Sequence, residues 1–409
     1  MISWPGGNNV TSDKVPSEIA YSDAKASKDP GDWSFVMPET FDTRDLQSAL
    51  ADNTPTSDEK TVRWGFQLRP DEPRLRCVKL FLDPRHKMPD FVSKSDMKNL
   101  LAKCGKDAES VVADYLTQVY THTQEELIKR YGNLFMRTTE TQWVLTVPAI
   151  WSDAAKNATL SAARRAGMGP ELTLISEPEA AAVYTLQAIQ PNHLKAGDNF
   201  VVCDAGGGTV DLISYEIKQT RPLRIEESAE GSGACCGAAM LNAKFEDLMR
   251  EKMGATAFAK LCREKSKSWL MALRFFEDYV KRNFDPTNAT DFNIPFPGVP
   301  DDEDAGIEQG FLTLSFQEVA KMFRPIITDI ITLVEGQIDK VRGKGKTVKG
   351  VVLVGGFGQS GCLYKALKLK YTGQPGGRRA DAEVEVLQPA NAWTAVSVTS
   401  YSFHACNCS

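Results

Sequence analysis

One short segment of this sequence, VVCDAGGGTVDLISYEI (201–217), places three consecutive glycines between two acidic residues. Backbone N–H groups can approach a phosphate closely where no side chain intervenes, so a run of glycines is typical of a phosphate-binding turn. Carboxylates beside such a turn can hold Mg²⁺, usually through retained water molecules. The segment therefore predicts a site for a magnesium-bound phosphate group. Its residues are Asp204, Gly206, Gly207, Gly208, Thr209 and Asp211.

The residues that follow the glycines predict a strand. Val210 and Leu212 alternate with Asp211 and Ile213, and β-branched and aromatic residues continue to Ile217. A phosphate-binding turn usually joins a strand to a helix, but here the pattern is strand, glycine turn and strand, which predicts a hairpin. The two acids would then lie close together across the hairpin. The sequence contains no G-x-x-x-x-G-K-[ST] motif, which argues against a P-loop.

A second glycine motif, GFGQSG (356–361), follows the apolar run GVVLVGG (350–356) and precedes a predicted helix. It matches the G-x-G-x-x-G pattern of dinucleotide-binding proteins, and Glu383 or Glu385 lies about 20 residues further on, as that pattern requires. The alternative function is therefore that of a dinucleotide-dependent oxidoreductase. Two observations weaken this alternative. Fewer than fifty residues remain after the motif for the βαβ units of such a domain, and a dinucleotide site would leave the three glycines between Asp204 and Asp211 unexplained.

The elements that must position these motifs alternate between strands and helices, so the predicted class is α/β. Residues 1–60 and 285–310 are rich in turn-forming residues and are predicted as loops. Strands are predicted at 61–68, 76–82, 142–150, 171–178, 222–228, 350–356 and 383–387, besides the hairpin. Helices are predicted at about 92–103, 107–132, 152–167, 179–189 and 315–341, with three more between 237 and 284.

Composition indicates a soluble, cytoplasmic protein. The 409 residues carry a net charge of −5 with 42% hydrophobic and 25% charged residues, which gives no electrostatic reason to expect a nucleic-acid partner. No apolar run reaches the roughly 20 residues of a membrane span, and no signal peptide is visible. Nine scattered cysteines indicate reduced thiols. A metal cluster at Cys406 and Cys408 with His404 is disfavoured by its spacing.

Taken together, three motifs in order resemble the ATPase domain of the seventy-kilodalton heat-shock chaperones. LISEPEAAAVYTL (174–186) is similar to the first connecting segment of that family, VVCDAGGGTVDL (201–212) to its second phosphate loop, and VVLVGGFGQS (351–360) to its adenosine loop. The resemblance is closer to a divergent large branch of the family. It implies a two-lobed, actin-like ATPase fold related to ribonuclease H, with lobe I at 1–197, lobe II at 198–409 and an inserted helical subdomain at about 234–311.

The same resemblance implies a role for each matching residue, with ATP or ADP and Mg²⁺ as cofactors. Asp204 and Asp211 would hold the metal and the attacking water. Glu177 would lie near the metal and the hinge between the lobes, Lys79 would reach the γ-phosphate, and these two would be catalytic residues together with Asp204. The phosphates would contact Gly206, Gly207, Gly208 and Thr209. The adenosine would contact Gly355, Gly356, Phe357, Gly237 and the helix that carries Asp278, Lys281 and Arg282.

The match also has departures. The opening MISWPGG resembles sequence downstream of the first phosphate loop of the family, so we expect that loop to be missing and both ends to be truncated. Because loss of one preorganised donor typically reduces a rate by about 10²–10³-fold, the resemblance implies Mg-ATP binding more firmly than hydrolysis. The hypotheses are a chaperone-type ATPase with a client or co-chaperone partner, a nucleotide-binding regulatory protein without hydrolysis, and the oxidoreductase.

Overall fold

The computed structural model shows a mixed α/β protein, which confirms the predicted class. None of the described helices is both long and apolar enough to cross a membrane. The prediction that His404, Cys406 and Cys408 form no metal cluster concerns residues outside the described ones. The structure describes residues 2–7, 11–12, 15–22, 61–68, 72–83, 93–149, 151–188, 194–372 and 384–389.

A five-stranded sheet carries the glycine hairpin. Its order is β10–β9–β8–β14–β15, in which β8 is antiparallel to β9 and parallel to β14, and β14 is parallel to β15. All seven residues of β8 are buried, as expected of a near-continuous apolar run at the centre of a sheet. The strands are β8 (Asn199–Ala205), β9 (Val210–Thr220), β10 (Leu223–Ala234), β14 (Val348–Val354) and β15 (Glu385–Leu387).

Helices cover both faces of this sheet. Successive strand residues point to opposite faces, so Cys203 and Leu212 pack with α10 (Phe316–Arg342), whereas Val202 and Ile213 pack with α5 (Glu177–Ala188). Helix α10 begins at a capping box made by Ser315 and Glu318, and its apolar residues recur at helical spacing. Its buried apolar residues are Val319, Met322, Phe323, Ile326, Ile327, Ile330, Val334, Ile338 and Val341.

The first part of the chain forms smaller sheets beside long helices. Strand β3 pairs with β4 and β5, β6 pairs with β7 in parallel, and β1 pairs with β2. Ser152 caps α4, and α2 ends at Gly132, both as predicted. The strands are β1 (Ile2–Ser3), β2 (Thr11–Ser12), β3 (Glu18–Ser22), β4 (Thr61–Trp64), β5 (Leu75–Arg76), β6 (Trp143–Val147) and β7 (Leu172–Ser176). The helices are α1 (Lys94–Cys104), α2 (Ala108–Tyr131), α3 (Asn133–Thr138) and α4 (Asp153–Arg165).

The helical region predicted at 237–284 is confirmed, and a small sheet follows it. The helices are α6 (Ala239–Met253), α7 (Ala255–Glu264), α8 (Ser266–Phe275) and α9 (Lys281–Asn283), with a π-helical turn at Phe276–Val280, and α11 (Gly361–Thr372) follows β14. The prediction of a loop throughout 285–310 is wrong. Strands β11 (Phe292–Pro295), β12 (Ile307–Glu308) and β13 (Phe311–Leu314) form an antiparallel sheet whose apolar residues reach the core, although turn-forming residues separate them.

Two predicted strands change conformation before their predicted ends. The strand at 61–68 ends at Trp64, and the one at 76–82 becomes a 3₁₀ helix at Val78–Leu82. The apolar alternation in that second segment is real, because Val78, Leu80 and Leu82 are buried while Lys79 is exposed. The segment packs against helices α2 and α4 instead of against another strand, and tertiary contacts therefore decide its conformation.

Candidate functional site

The predicted hairpin is present, and its two aspartates lie opposite each other. Asp204, near the end of β8, is the register partner of Asp211, near the start of β9. Four residues, Gly206 to Thr209, form the turn, and the Gly206 N–H donates to the Thr209 carbonyl at 2.9 Å. Both aspartates are buried, and the Thr209 hydroxyl donates to the Asp211 carboxylate. The sequence thus brings two carboxylates and a glycine turn to one edge of the sheet.

The glycines of the turn differ in what surrounds them. A Cβ at Gly207 or Gly208 would meet no atom of the protein within 4 Å, and neither residue has the left-handed backbone that favours glycine. The fold itself therefore does not require a missing side chain at these two positions. Bare backbone in an open position is what a closely approaching ligand requires.

The other end of the turn is fixed by the start of helix α6. The N–H groups of Gly237, Ala238 and Ala239 donate to the carbonyls of Gly208, Gly206 and Gly207 at 3.3, 3.1 and 2.7 Å. Ala239 is the first residue of the helix, and Gly237 and Ala238 directly precede it; backbone N–H groups at the start of a helix have no partner within it. A Cβ at Gly237 would lie 2.4 Å from the Gly207 carbonyl oxygen, so a glycine is required there. The helix therefore holds the carbonyls of the turn on one side.

The second glycine motif packs directly against the first. Val354, the last residue of β14, is the register partner of Asp204. Gly355 follows with φ +87°, and a Cβ there would lie only 2.3 Å from Asp204 Oδ1 and 2.5 Å from the Ala205 carbonyl oxygen. Both the backbone conformation and the close approach require glycine at 355. The two glycine motifs, about 150 residues apart in the chain, therefore meet at one carboxylate.

Lys79 and Glu177 form an ion pair beside the aspartates. Their Nζ and Oε1 atoms are 3.6 Å apart, the Lys79 side chain is 51% exposed, and Glu177 is the first residue of α5. Glu177, followed by Asp211 and Asp204, raises the pKa of Lys79. The lysine therefore stays positively charged at neutral pH. The two predicted catalytic residues, 98 positions apart in sequence, reach the same cluster of carboxylates.

Asp211 is a buried carboxylate whose charge is disfavoured by its surroundings. Burial, together with the Glu177 carboxylate, raises the pKa of Asp211 to about 6, against the opposing effects of Thr209 and Lys79. Its Oδ1 atom is buried without a hydrogen-bond partner in the structure. An orphaned carboxylate oxygen of this kind is suited to a cation or to a water molecule bound to one. No group of three or more His, Cys, Asp or Glu side chains in the described residues has metal-binding geometry.

The residues predicted to contact adenosine are placed less directly. Lys281 is buried and lies 3.6 Å from Glu277, and burial lowers the pKa of Lys281 to about 8. Arg282 pairs with Asp278 at 3.8 Å on an exposed surface. Glu277 accepts a hydrogen bond from Asn242, which lies one turn into α6. The helical segment of Glu277 and Lys281 is therefore connected to α6, the helix that holds the glycine turn. The π-helical turn before Lys281 is a feature frequent at functional sites.

The Phe357 ring packs into the core against Phe323, with ring centroids 6.3 Å apart. Only the backbone of this residue therefore remains available to a ligand, as does the backbone of Gly355 and Gly356. Sequence reasoning missed the donors of Ala238 and Ala239. Their signal was the small-residue run GAA at the start of a predicted helix, where side chains do not block backbone approach.

The comparisons with known proteins identify the family of this chain. The family model described as "Hsp70 protein" matches residues 95–370, which is more than half of the chain. The chain belongs to the Hsp70 family. The matched range of this Hsp70 protein includes both glycine motifs, at 206–208 and 356–361. Membership also implies the actin-like ATPase fold for the mixed α/β structure described above.

Three curated relatives indicate where in the family this Hsp70 protein stands. It is 26% identical to human heat shock 70 kDa protein 12B over 69% of this chain and 52% of the relative. It is 24% identical to human heat shock 70 kDa protein 12A over 71% of this chain and 53% of the relative. It is 30% identical to a chaperone protein HscA homolog of Burkholderia multivorans over 57% of this chain and 34% of the relative. The chain spans about half the length of the first two, and the similarity to them is consistent with the divergent branch expected above.

Proposed function

We propose that this protein binds Mg-ATP and Mg-ADP at the glycine hairpin. The observation that carries the proposal is the pair of open glycine positions, Gly207 and Gly208, held between two aspartates that pair across the hairpin. Neither backbone strain nor packing explains the glycines there, whereas a phosphate in contact with the backbone does. Membership of the Hsp70 family supports the same ligand.

The roles of the side chains follow from their charges and positions. Asp204 and Asp211 would hold Mg²⁺ through its water molecules, since Asp211 Oδ1 lacks a protein partner. Gly206 to Thr209 would contact the phosphates. Lys79, kept protonated by Glu177, would neutralise phosphate charge, and that ion pair would fix the direction of its ammonium group. Gly355 and Gly356 would lie beside the adenosine with the helix of Lys281 and Arg282.

Hydrolysis is the further activity we propose to test at this site. Bound Mg²⁺ would supply charge neutralisation at the phosphates when the nucleotide is present. Asp211 Oδ1, buried without a protein partner, would accept a hydrogen bond from a water molecule held beside the phosphates and so orient that water. Thr209 orients the carboxylate by donating a hydrogen bond to it. A nucleotide-binding regulatory protein without hydrolysis is the alternative function.

The binding proposal is tested by a valine at Gly207. Gly207→Val should leave the melting temperature of the nucleotide-free protein nearly unchanged, because a Cβ at Gly207 meets no protein atom within 4 Å. Calorimetric titration should show that the variant has lost Mg-ATP and Mg-ADP binding. Gly336→Val is the matched control, since Gly336 is exposed in α10 and also has no atom near its Cβ position. Unchanged nucleotide affinity in Gly207→Val would refute the proposal.

Hydrolysis is separated from binding by phosphate release. Steady release above the rate of an Asp204→Asn variant would support a chaperone-type ATPase. Equal rates, with Mg-ATP binding intact in the unmodified protein, would support the regulatory function. NAD is titrated as the comparison ligand, and we expect that the protein does not bind it. The involvement of a client or co-chaperone protein is a proposal that rests on the family alone.

A further inference from the structure

Two adjacent cysteines, Cys235 and Cys236, stand between strand β10 and helix α6. They directly precede Gly237, the residue whose N–H donates to the carbonyl of Gly208. Nothing in the proposed binding or hydrolysis of ATP uses either thiol. Their position connects them to the glycine turn through a single peptide unit.

The contact between this peptide and the glycine turn is close. The Gly237 Cα cannot carry a side chain, since a Cβ would lie 2.4 Å from the Gly207 oxygen and 2.8 Å from the Gly206 oxygen. Three consecutive N–H groups, from Gly237 to Ala239, bind the carbonyls of the turn. Any shift of the Cys236–Gly237 peptide must therefore move or break these hydrogen bonds.

The two thiols have different environments. Cys235 is half-buried, whereas Cys236 is 4% exposed and shares a buried cluster with Cys203. Burial, and then Asp329, raises the pKa of Cys236 to about 12, so this thiol is not the first of the two to react. The more accessible Cys235 is therefore the thiol that an oxidant would reach first, with Cys236 next to it as a resolving thiol. No disulfide is present among the described cysteines.

We propose that Cys235 and Cys236 form a redox-sensitive dithiol site that controls the glycine turn, with a hydroperoxide as its oxidant. The Cys235 thiolate attacks one peroxide oxygen, the O–O bond breaks, and a sulfenic acid and water (or an alcohol) are formed. The Cys236 sulfur then displaces the oxygen from the Cys235 sulfur, its proton leaves with that oxygen as water, and an S–S bond forms. Two thiols lose two electrons, and the peroxide gains them.

The structural consequence follows from the spacing of adjacent residues. Neighbouring Cα atoms are about 3.8 Å apart, less than the roughly 4.4–6.8 Å usual for a disulfide. The bond must therefore change the backbone at 235–236 and draw the Cys236 sulfur out of its buried cluster. Gly237 would move with it, and the turn would lose the donors that fix its carbonyls. A strained, partly exposed disulfide is also readily reduced, so the effect should be reversible.

The experiment uses the full chain before and after hydrogen peroxide treatment, with three readouts. Mass spectrometry of the 235–236 peptide should show a loss of two hydrogens. In nucleotide-free protein, amide exchange at Ala238 and Ala239 should accelerate at least tenfold. Mg-ATP affinity, which rests on the proposed function, should fall at least tenfold and return with dithiothreitol. Cys235→Ser should abolish all three changes, and Cys262→Ser, a half-buried cysteine in α7, should keep them.

The outcomes are separable. Absence of the disulfide, or a disulfide that leaves amide exchange at Ala238 and Ala239 unchanged, would overturn the inference. Equal changes in Cys235→Ser would also overturn it. If the exchange rates respond as expected but the untreated protein binds no Mg-ATP, the dithiol inference stands and the proposed nucleotide function fails.

Discussion

Replacement of Asp211 by asparagine tests the electrostatics of the site most directly. Burial and Glu177 raise the pKa of this carboxyl to about 6 in the folded protein, compared with about 3.9 in an unfolded chain. A raised folded-state pKa means that the ionised form is disfavoured by folding. The stabilisation associated with Asp211 is therefore complete below pH 4 and is lost as pH rises through about 6.

The magnitude follows from the size of the shift. About two pKa units at about 1.4 kcal/mol each amount to about 3 kcal/mol of stability lost above pH 6. Because Asp211 is only 2% exposed, solvent screening reduces this little. Asp211→Asn removes the charge and keeps the shape, so its free energy of unfolding should exceed that of the unmodified protein by about 1–3 kcal/mol at pH 7. The difference should shrink toward zero at pH 4.

The assay is urea unfolding of nucleotide-free protein at several pH values from 4 to 7.5, followed by tryptophan fluorescence. Asp304→Asn, in an exposed loop, is the matched control and should show no such pH-dependent difference. The same Asp211→Asn variant should bind Mg-ATP more weakly, since it lacks a charged ligand for the ion. A variant that is less stable at every pH, or a difference that does not change with pH, would refute this account of the site.

Three further predictions address other parts of the site and the fold. Gly355→Ala should reduce the free energy of unfolding by about 2–5 kcal/mol, because a Cβ would lie 2.3 Å from Asp204 Oδ1. Its control is Gly345→Ala, at a residue with φ +73° and no neighbour within 4 Å, which should lose only about 1–2 kcal/mol in the same urea titration. Lys79→Met should raise the pKa of Asp211 above its value of about 6, since Lys79 lowers it. In calorimetric titrations at falling pH, this variant should therefore lose Mg-ATP binding at a higher pH than the control Lys103→Met, which replaces an exposed lysine. Gln337→Leu should lower the free energy of unfolding by roughly 2–4 kcal/mol, because Gln337 forms hydrogen bonds with Ser214, Ser232 and the Glu230 carbonyl inside the fold. Gln317→Leu, on the outer side of α10, should be nearly neutral. Equal losses in the two variants would contradict this prediction.

The sequence by itself determined the local chemistry of this protein. The alternation after Thr209 was enough to predict a hairpin, because side chains of a strand alternate between faces and both faces here needed apolar residues. Three glycines between Asp204 and Asp211 led to the prediction of a phosphate site, since that pattern exceeds what a plain turn requires, and this site stays a prediction. The helix ends at Gly132 and Ser152 were equally predictable, because capping depends on residues a few positions apart.

The lobe boundaries and the inserted subdomain remain predictions. Several features that the sequence could not determine depend on contacts between distant segments. The segment at 76–82 has the period of a strand, and it is a 3₁₀ helix because it packs on α2 and α4. Phe357 matched a ligand-binding motif, yet its ring lies in the core against Phe323.

The tertiary structure alone decided how the site is assembled. No local pattern places Gly355 against Asp204, Lys79 within 3.6 Å of Glu177, or the first turn of α6 on the carbonyls of the glycine turn. The pKa of Asp211 likewise depends on burial and on a carboxylate 34 residues earlier in the chain. Residue types fix which chemistry is available, but charge interactions and close packing depend on distances in space, and folding sets those distances.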